Sequence, residues 1–205
     1  RHVGEDTAVP AGDIGGGGHE VGCRCGQYKR ITTRYEAGGL TGKGSSWGGS
    51  LVRTESTGYG TVFCVDEMLR DHGDSFEGKR VVVSGSGNVA TFAIEKVHQL
   101  GGRVVACSDS AGYVVDEDGI DLDLVKDIKN GRRGRISEYV DERTGARYVD
   151  GGSIWDVPCD IALPSATQNE LGAEGAEAPV RGGVKIVDEG ANMPNTPDAI
   201  RVLRE

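Results

Sequence analysis

The sequence predicts an α/β fold built on a doubly wound, mostly parallel sheet, and one short stretch of chain carries most of that prediction. Val81-Val82-Val83 is an unbroken β-branched run, which is typical of a strand buried on both faces. A glycine-rich turn follows it, then a segment with apolar residues at helical spacing, then a second apolar run at residues 104–107. This order of elements is a β-α-β unit, which places its two strands parallel in one sheet.

The remaining elements are predicted from the same periodicities. Residues 56–70 place apolar side chains on one side of a helix, and Gly73 supplies its C-terminal stop. The helix inside the β-α-β unit ends at Gly101-Gly102. Two later apolar runs, residues 161–163 and 184–187, have the length of strands, and each is followed by a polar loop, so we expect them to extend the sheet.

The chain is predicted to divide in a region rich in Gly, Ser and Thr. Residues 38–50 form this region, and we place a hinge there. Residues 1–47 are predicted to be the tail of a first domain together with the hinge, and in this tail a glycine-rich loop leads into a helix near Val21. Residues 48–205 are predicted to form the domain that contains the sheet.

Composition limits the classes of function. The net charge is −9, from 23 Lys and Arg against 32 Asp and Glu, which disfavours nucleic acid and anionic membranes as partners. No apolar run is long enough to cross a bilayer. Five cysteines without a Cys-x-x-Cys pair argue against a disulfide framework and a structural metal. We therefore expect a cytoplasmic protein with small-molecule partners, no nucleic acid, no membrane and no metal.

The turn after the first strand has the spacing of a dinucleotide-binding loop. Gly85-Ser86-Gly87-Asn88-Val89-Ala90 fits the pattern Gly-x-Gly-x-x-Ala. The two glycines let the backbone approach a pyrophosphate, the N-terminus of the following helix receives its charge, and Ala90 allows helix and strand to pack closely. Asp109 stands about twenty residues further on, where the pattern expects an acid.

The loops after the four predicted strands are polar. In open α/β sheets ligands lie beyond the carboxyl ends of the strands, so we expect these loops to converge on one site. Single residues of these types also favour turns for local reasons, so the prediction depends on their joint placement. The residues are Asn88, Asp109-Ser110, Thr167-Gln168-Asn169 and Asn192.

Charge decides between the two nicotinamide dinucleotides. Asp109 could accept the ribose 2′-hydroxyl of NAD, whereas the 2′-phosphate of NADP needs positively charged donors. The one basic concentration in this acidic chain could serve that phosphate or could be a solvated loop. It consists of Lys129, Arg132, Arg133 and Arg135.

Six longer motifs occur in the order seen in hexameric glutamate dehydrogenases, and the chain resembles that family along essentially its whole length. The form of the glycine turn, Ser108-Asp109-Ser110 and the segment from Ile128 to Arg135 are similar to the NADP-dependent branch. The six motifs are Pro10-Ala11-Gly12-Asp13-Ile14-Gly15, Gly48-Gly49-Ser50-Leu51-Val52-Arg53, Thr57-Gly58-Tyr59-Gly60, Ser84-Gly85-Ser86-Gly87-Asn88-Val89-Ala90, Leu163-Pro164-Ser165-Ala166-Thr167-Gln168-Asn169 and Glu189-Gly190-Ala191-Asn192-Met193-Pro194.

The resemblance implies a C-terminally truncated Rossmann-like domain at residues 48–205, preceded by the C-terminal part of an α/β substrate domain. It implies a homohexameric enzyme that catalyses the reversible oxidative deamination of L-glutamate to 2-oxoglutarate and ammonium, with hydride transfer to NADP. Asp13 matches the family's catalytic aspartate, which relays protons to and from the amine. Gly12 matches a glycine that lies against the substrate, and Arg53 matches an arginine in the cleft.

The glycine turn, the polar loops and the resemblance together give a set of residues expected to bind the cofactor. Among them, Ser110, Lys129 and Arg135 match residues placed near the 2′-phosphate, with which the charge of Asp109 conflicts. The full set is Thr57, Gly85, Ser86, Gly87, Asn88, Val89, Asp109, Ser110, Lys129, Arg135, Ala166, Thr167, Gln168 and Asn192.

The chain also departs from the family pattern. The lysines that bind the substrate carboxylates and activate the reacting carbon have no counterpart in these residues, so we expect the isolated chain to be inactive. Gly172, Gly175 and Pro179 should interrupt a helix expected between Asn169 and Val184. Two alternatives stay open: a dinucleotide-binding module with no chemistry of its own, and a related dehydrogenase that acts on leucine, phenylalanine or valine.

Overall fold

The computed structural model describes residues 2–12 and 16–205 and divides the chain into two compact units, one up to Ser56 and one comprising Thr57–Glu205. In its described residues, the first unit has helix α1 (Gly18–Thr32), which buries Val21 and Cys25. Short 3-10 turns follow at Ala37–Gly39 and Ser45–Trp47. The glycine-rich segment therefore does lead into a helix, as the sequence predicts.

The second unit, which the structure describes without a gap, is built on a six-stranded sheet in the order β4-β3-β2-β1-β5-β6. Strands β2, β1, β5 and β6 pair in parallel, whereas β3 pairs antiparallel with both β2 and β4. The predicted α/β fold with a mostly parallel sheet is confirmed, and the antiparallel strands at one edge were not predicted. The strands are β1 (Arg80–Val83), β2 (Arg103–Ser108), β3 (Gly112–Val115), β4 (Arg147–Asp150), β5 (Ile161–Leu163) and β6 (Ile186–Val187).

Six α-helices accompany the sheet. The two predicted around the first strand are confirmed, and no helix in the described residues is long and apolar enough to span a membrane. A π-helical turn, Asp127–Gly131, extends the fourth helix, and 3-10 turns form at Ile136–Glu138 and Ile154–Asp156. The helices are α2 (Ser56–Asp71), α3 (Asn88–Gln99), α4 (Leu122–Lys126), α5 (Tyr139–Glu142), α6 (Ala173–Arg181) and α7 (Pro197–Arg204).

Two sequence predictions about the C-terminal third need correction. The strand predicted at residues 184–187 is shorter, because only Ile186–Val187 pairs with β5. Helix α6 forms although Gly175 and Pro179 lie inside it. Ala176 and Pro179 are buried in the packed structure, and this tertiary packing offsets the poor helix propensity of glycine and proline.

Both faces of the sheet are covered, which is why its central strands contain apolar runs. In β1, Val81 and Val83 contribute to the core cluster beneath α2 and α3, whereas Val82 contributes to the cluster on the opposite face with residues of α6 and α7. The alternation follows from the two-residue period of a strand. This arrangement is the doubly wound architecture that the apolar runs predict.

Helix α2 crosses α3 at a glycine. A Cβ atom on Gly58 would lie 2.5 Å from the carbonyl oxygen of Val89 and 2.7 Å from the backbone nitrogen of Ala93. Gly60, two residues further along α2, has no atom within 4 Å of the corresponding position. The close approach at Gly58 sets the start of α2 beside the first turn of α3.

These two glycines give a matched pair of substitutions. Gly58→Ala should lower the free energy of unfolding by about 1–3 kcal/mol, because the added methyl group must push the two helices apart. Gly60→Ala should raise it by about 0.5–1 kcal/mol, since alanine is the better helix former and meets no neighbour. Urea denaturation followed by circular dichroism measures both values. Equal effects of the two substitutions would contradict the described helix crossing.

Candidate functional site

The turn between β1 and α3 lies where the order of the strands in the sheet reverses. Strand β1 has β2 on one side and β5 on the other, so this is the switch point of the fold, where open α/β sheets bind ligands. Gly85 has a φ of +86°, in the left-handed region that favours glycine, and a Cβ there would lie 3.2 Å from Cβ of Ala166. Gly87 precedes the first residue of α3 and faces open space.

Hydrogen bonds join the loops at this edge. The backbone N–H of Gly85 donates to Oγ of Ser108 at the end of β2, with an N···O distance of 2.8 Å. The N–H of Ser165, after β5, donates to Oγ of Ser84 over 2.8 Å. After β6, Gly190 donates to the carbonyl oxygen of Pro164, also over 2.8 Å. The four polar loops therefore do converge, as the sequence predicts.

The predicted cofactor-binding residues differ in how accessible they are. Ser86 is only 5 % exposed and Val89 is partly buried, so contacts with Ser86 would involve mainly its backbone. Gly85 is buried, whereas the remaining members at this edge have exposed positions around the turn and on the loops after β5 and β6. These are Thr57, Gly87, Asn88, Ala166, Thr167, Gln168 and Asn192.

Asp109 anchors a loop on the second strand. Its side chain is 6 % exposed, and its two oxygens accept hydrogen bonds from the N–H groups of Ala111 and Ile136, over 2.9 and 3.1 Å. Nζ of Lys129 and a guanidinium nitrogen of Arg135 lie 3.7 and 3.9 Å from the same carboxylate. Both of its oxygens thus accept a backbone hydrogen bond, and its role as a ribose acceptor stays a prediction.

The ionised form of Asp109 is favoured in this position. Burial alone would raise its pKa, but the hydrogen bonds from Ala111 and Ile136 and the charges of Lys129 and Arg135 hold the pKa below its usual value. A carboxylate with a lowered pKa stabilises the fold at neutral pH, and this contribution is lost as the pH falls through the lowered pKa. Lys129 and Arg135 also offset the charge of this carboxylate.

Two of the four clustered basic residues gather at the end of β2. Arg135 donates to Oγ of Ser110 over 2.8 Å, and Nζ of Lys129 donates to the carbonyl oxygen of Gly134 over 3.0 Å. Arg132 instead pairs with Asp127 and Glu142. We call Ser110, Lys129 and Arg135 the basic cluster. Charge and hydroxyl donors of this kind suit a phosphate group.

The predicted substrate residues belong to the first unit. A Cβ on Gly12 would lie only 2.4 Å from the carbonyl oxygen of Gly16. Arg53 is exposed. Asp13, the predicted catalytic residue, lies outside the described residues. Within residues 2–12 and 16–205, no group of three His, Cys, Asp or Glu side chains is arranged to hold a metal ion, and all five cysteines are free thiols.

Three residues at the site were missed by the sequence analysis. Ser84 directly follows β1 and Ser108 ends β2, and their hydroxyls bind the backbone of the neighbouring loops. Glu170 follows the loop after β5, and its Oε1 accepts hydrogen bonds from Oγ of Ser84 and from N–H of Ala166. Small polar residues at strand ends were the available signal for the serines. Nothing local distinguishes Glu170 from an ordinary turn residue.

Comparison with known proteins gives consistent matches. Residues 48–205 match the model of the Glutamate/Leucine/Phenylalanine/Valine dehydrogenase family. A glutamate dehydrogenase of Bacteroides thetaiotaomicron is 54 % identical, with 100 % of this chain and 46 % of that protein covered. An NADP-specific glutamate dehydrogenase of Helicobacter pylori is 52 % identical over 99 % of this chain and 47 % of that protein.

A solved structure shows the same similarity in three dimensions. The glutamate dehydrogenase of Plasmodium falciparum superimposes with a TM-score of 0.92 and 44 % sequence identity, over 100 % of this chain and 44 % of that one. The chain thus spans less than half the length of these relatives.

The anchoring role of Asp109 predicts a pH-dependent loss of stability in Asp109→Asn. At pH 7 the variant should unfold with about 1–3 kcal/mol less free energy, because a buried charged acceptor is replaced. The difference should narrow as the pH falls below about 4, where Asp109 of the unfolded parent begins to take up a proton, and should narrow further until the pH has passed the lowered pKa of the folded parent. Urea titrations across this pH range measure the difference in the free energy of unfolding between variant and parent.

Asp141→Asn, at an exposed position of α5, is the control, and its free energy of unfolding should stay within about 0.5 kcal/mol of that of the parent. A constant deficit at every pH would contradict the assignment.

Proposed function

This chain belongs to the Glutamate/Leucine/Phenylalanine/Valine dehydrogenase family, and we propose that it forms the NADP-binding part of a glutamate dehydrogenase. The reaction is the reversible oxidative deamination of L-glutamate to 2-oxoglutarate and ammonium. The observation that carries the proposal is the basic cluster at the end of β2, next to strand β1, after which Gly87 faces open space. The names of the relatives from Helicobacter pylori and Escherichia coli as NADP-specific support the same coenzyme.

The glycine turn fits a pyrophosphate. Gly87 leaves the space before α3 open, and the first N–H groups of a helix have no partner within the helix itself. The positive end of the helix dipole and these N–H groups favour an anion at this position. Asn88, Thr167 and Asn192 surround the turn with polar side chains on which the remainder of a dinucleotide can bind.

The basic cluster favours NADP over NAD. Arg135, whose side chain is 62 % exposed, and Ser110 present donors toward solvent, while Lys129 adds a second charge close by. The carboxylate of Asp109 accepts two backbone N–H groups and lies 3.7 and 3.9 Å from Lys129 and Arg135, so its observed contacts are with the loop and the cluster. In this proposal Asp109 holds the cluster in place and does not bind the ribose.

The chemistry is divided between coenzyme and protein. When bound, NADP accepts hydride from the substrate α-carbon at nicotinamide C4. The residues of the second unit bind and orient it. In the first unit, we propose that Asp13 relays protons to and from the amine, that Gly12 lies against the substrate and that Arg53 lines the cleft. These roles rest on the family resemblance of the surrounding motifs.

We also propose that the complete enzyme is a cytoplasmic homohexamer, on the basis of the same resemblance. The 205 residues alone should bind coenzyme without turning it over, since the family's substrate-binding and catalytic lysines have no counterpart among them. Two alternatives are a dinucleotide-binding module with no activity of its own and a dehydrogenase that acts on leucine, phenylalanine or valine.

The basic cluster predicts a coenzyme-selective effect of one substitution. Arg135→Ala should weaken NADPH binding by about 10- to 100-fold, because a charge-assisted contact to the 2′-phosphate is lost. NADH binding should be essentially unchanged. Isothermal titration calorimetry with both coenzymes measures the two affinities. Arg132→Ala is the matched control, since Arg132 lies in the same loop but pairs with Asp127 and Glu142. A proportional loss of affinity for NADPH and NADH would contradict the proposed phosphate site.

A second experiment tests the expected inactivity of the isolated chain. Incubated with L-glutamate and NADP, the 205 residues should produce no reduced coenzyme, because a residue that stabilises the transition state typically contributes orders of magnitude in rate. Absorbance at the reduced-nicotinamide band follows the reaction, and a full-length relative serves as the positive control. Turnover with glutamate would show that these residues suffice for catalysis, and turnover with leucine, phenylalanine or valine instead would favour a different substrate.

A further inference from the structure

Glu170 links the end of β1 to the loop after β5. Its Oε1 accepts a hydrogen bond from Oγ of Ser84 over 2.9 Å and another from N–H of Ala166 over 3.1 Å. Ser84 is 1 % exposed, and its Oγ also accepts the N–H of Ser165 over 2.8 Å. One carboxylate oxygen therefore organises the first two residues of the loop after Pro164.

The loop that Glu170 holds lies directly against the glycine turn. A Cβ on Gly85 would meet Cβ of Ala166 at 3.2 Å and the carbonyl oxygen of Ser165 at 3.3 Å. The two segments are therefore close neighbours, and a shift of Ala166 toward the turn would be met by Gly85. This proximity links the position of the glycine turn to that of Ala166, which the Glu170 carboxylate holds.

The carboxylate is costly in this position. It is partly buried, and burial is the main influence on its pKa, which it raises, while hydrogen bonds from Ser84 and from the N–H groups of Ala166 and Thr167 act in the opposite direction. No cation is among these influences, in contrast to Asp109. A carboxylate without a cationic partner pays a desolvation cost that only strong hydrogen bonds can offset. The ionised carboxylate therefore depends on the N–H groups of Ala166 and Thr167, and in turn it holds this loop backbone in place.

We propose that Glu170 is a positioning residue for the coenzyme: through Ala166 and Ser84 it fixes the loop after β5 against the glycine turn and so holds the pyrophosphate-binding backbone in its binding geometry. This inference rests on the proposed function, because it names a residue that supports the proposed coenzyme site without touching the coenzyme. Ionised Glu170 makes charge-assisted hydrogen bonds, which are about twice as strong as neutral ones. Glutamine keeps the acceptor oxygen but removes the charge.

Calorimetry with NADPH tests the proposal on the 205-residue chain. Glu170→Gln should bind NADPH about tenfold more weakly than the parent, since the loop loses its charge-assisted anchor. Glu174→Gln, the same change at an exposed position in the first turn of α6, should leave the affinity essentially unchanged. Equal affinities of parent and Glu170→Gln would overturn the inference while leaving the coenzyme proposal intact. Failure of the parent itself to bind NADPH would overturn the proposed function, and this inference with it.

A spectroscopic measurement distinguishes positioning from a general structural role. In the coenzyme-free parent, the backbone amide resonances of Ala166 and Ser165 should shift with pH as Glu170 protonates, with a midpoint above the ordinary pKa of a glutamate because burial raises the pKa of this carboxyl group. The shift should be absent in Glu170→Gln and retained in Glu174→Gln. Amides that do not respond to pH in the parent would overturn the proposal. If Glu170→Gln does not fold, Ser84→Ala provides the second variant, and unchanged NADPH affinity in Ser84→Ala would likewise overturn it.

Discussion

The carboxyl end of β1 is the place on which the rest of the site depends. Two serine hydroxyls, from Ser84 and Ser108, accept backbone N–H groups of adjoining loops, and Gly85 fits against Ala166 with room for no more than a hydrogen. Backbone groups buried at a strand end must find partners, and here they find them in the neighbouring strands' loops. The same bonds that satisfy these groups hold the glycine turn in one position and leave the start of α3 open.

Positive charge is concentrated at the end of β2, although the chain as a whole is acidic. The protein carries a net charge of −9, yet Lys129 and Arg135 are gathered at one strand end by the buried carboxylate of Asp109. Asp109 adds one negative charge to the site, but its carboxylate fixes the positions of Lys129, Arg135 and the loop at Ile136. Such a positive patch favours an anionic ligand, whereas the remaining acidic surface disfavours larger polyanions such as nucleic acid.

The sequence predicts local structure well and distant partners poorly. Val81-Val82-Val83, the glycine turn and the helix after it are recognisable because their periods and turn residues are local, and the structure has them where they were expected. Strands β3 and β4 were missed because they are short and because a long segment of the chain separates them in sequence. Glu170 was missed for the same reason, since its partner Ser84 is 86 residues away in sequence. Asp109 was noticed, but its binding to Ile136 follows only from the fold. The roles of Asp13, Gly12 and Arg53 stay predictions.

A crystal structure of this chain grown with NADPH shows whether the glycine turn and the basic cluster together form one NADP site. We expect the pyrophosphate to lie against the backbone at Gly87 and the 2′-phosphate to contact Ser110 and Arg135. Electron density for the coenzyme at another place, or a 2′-phosphate that points away from the basic cluster into solvent, would contradict it.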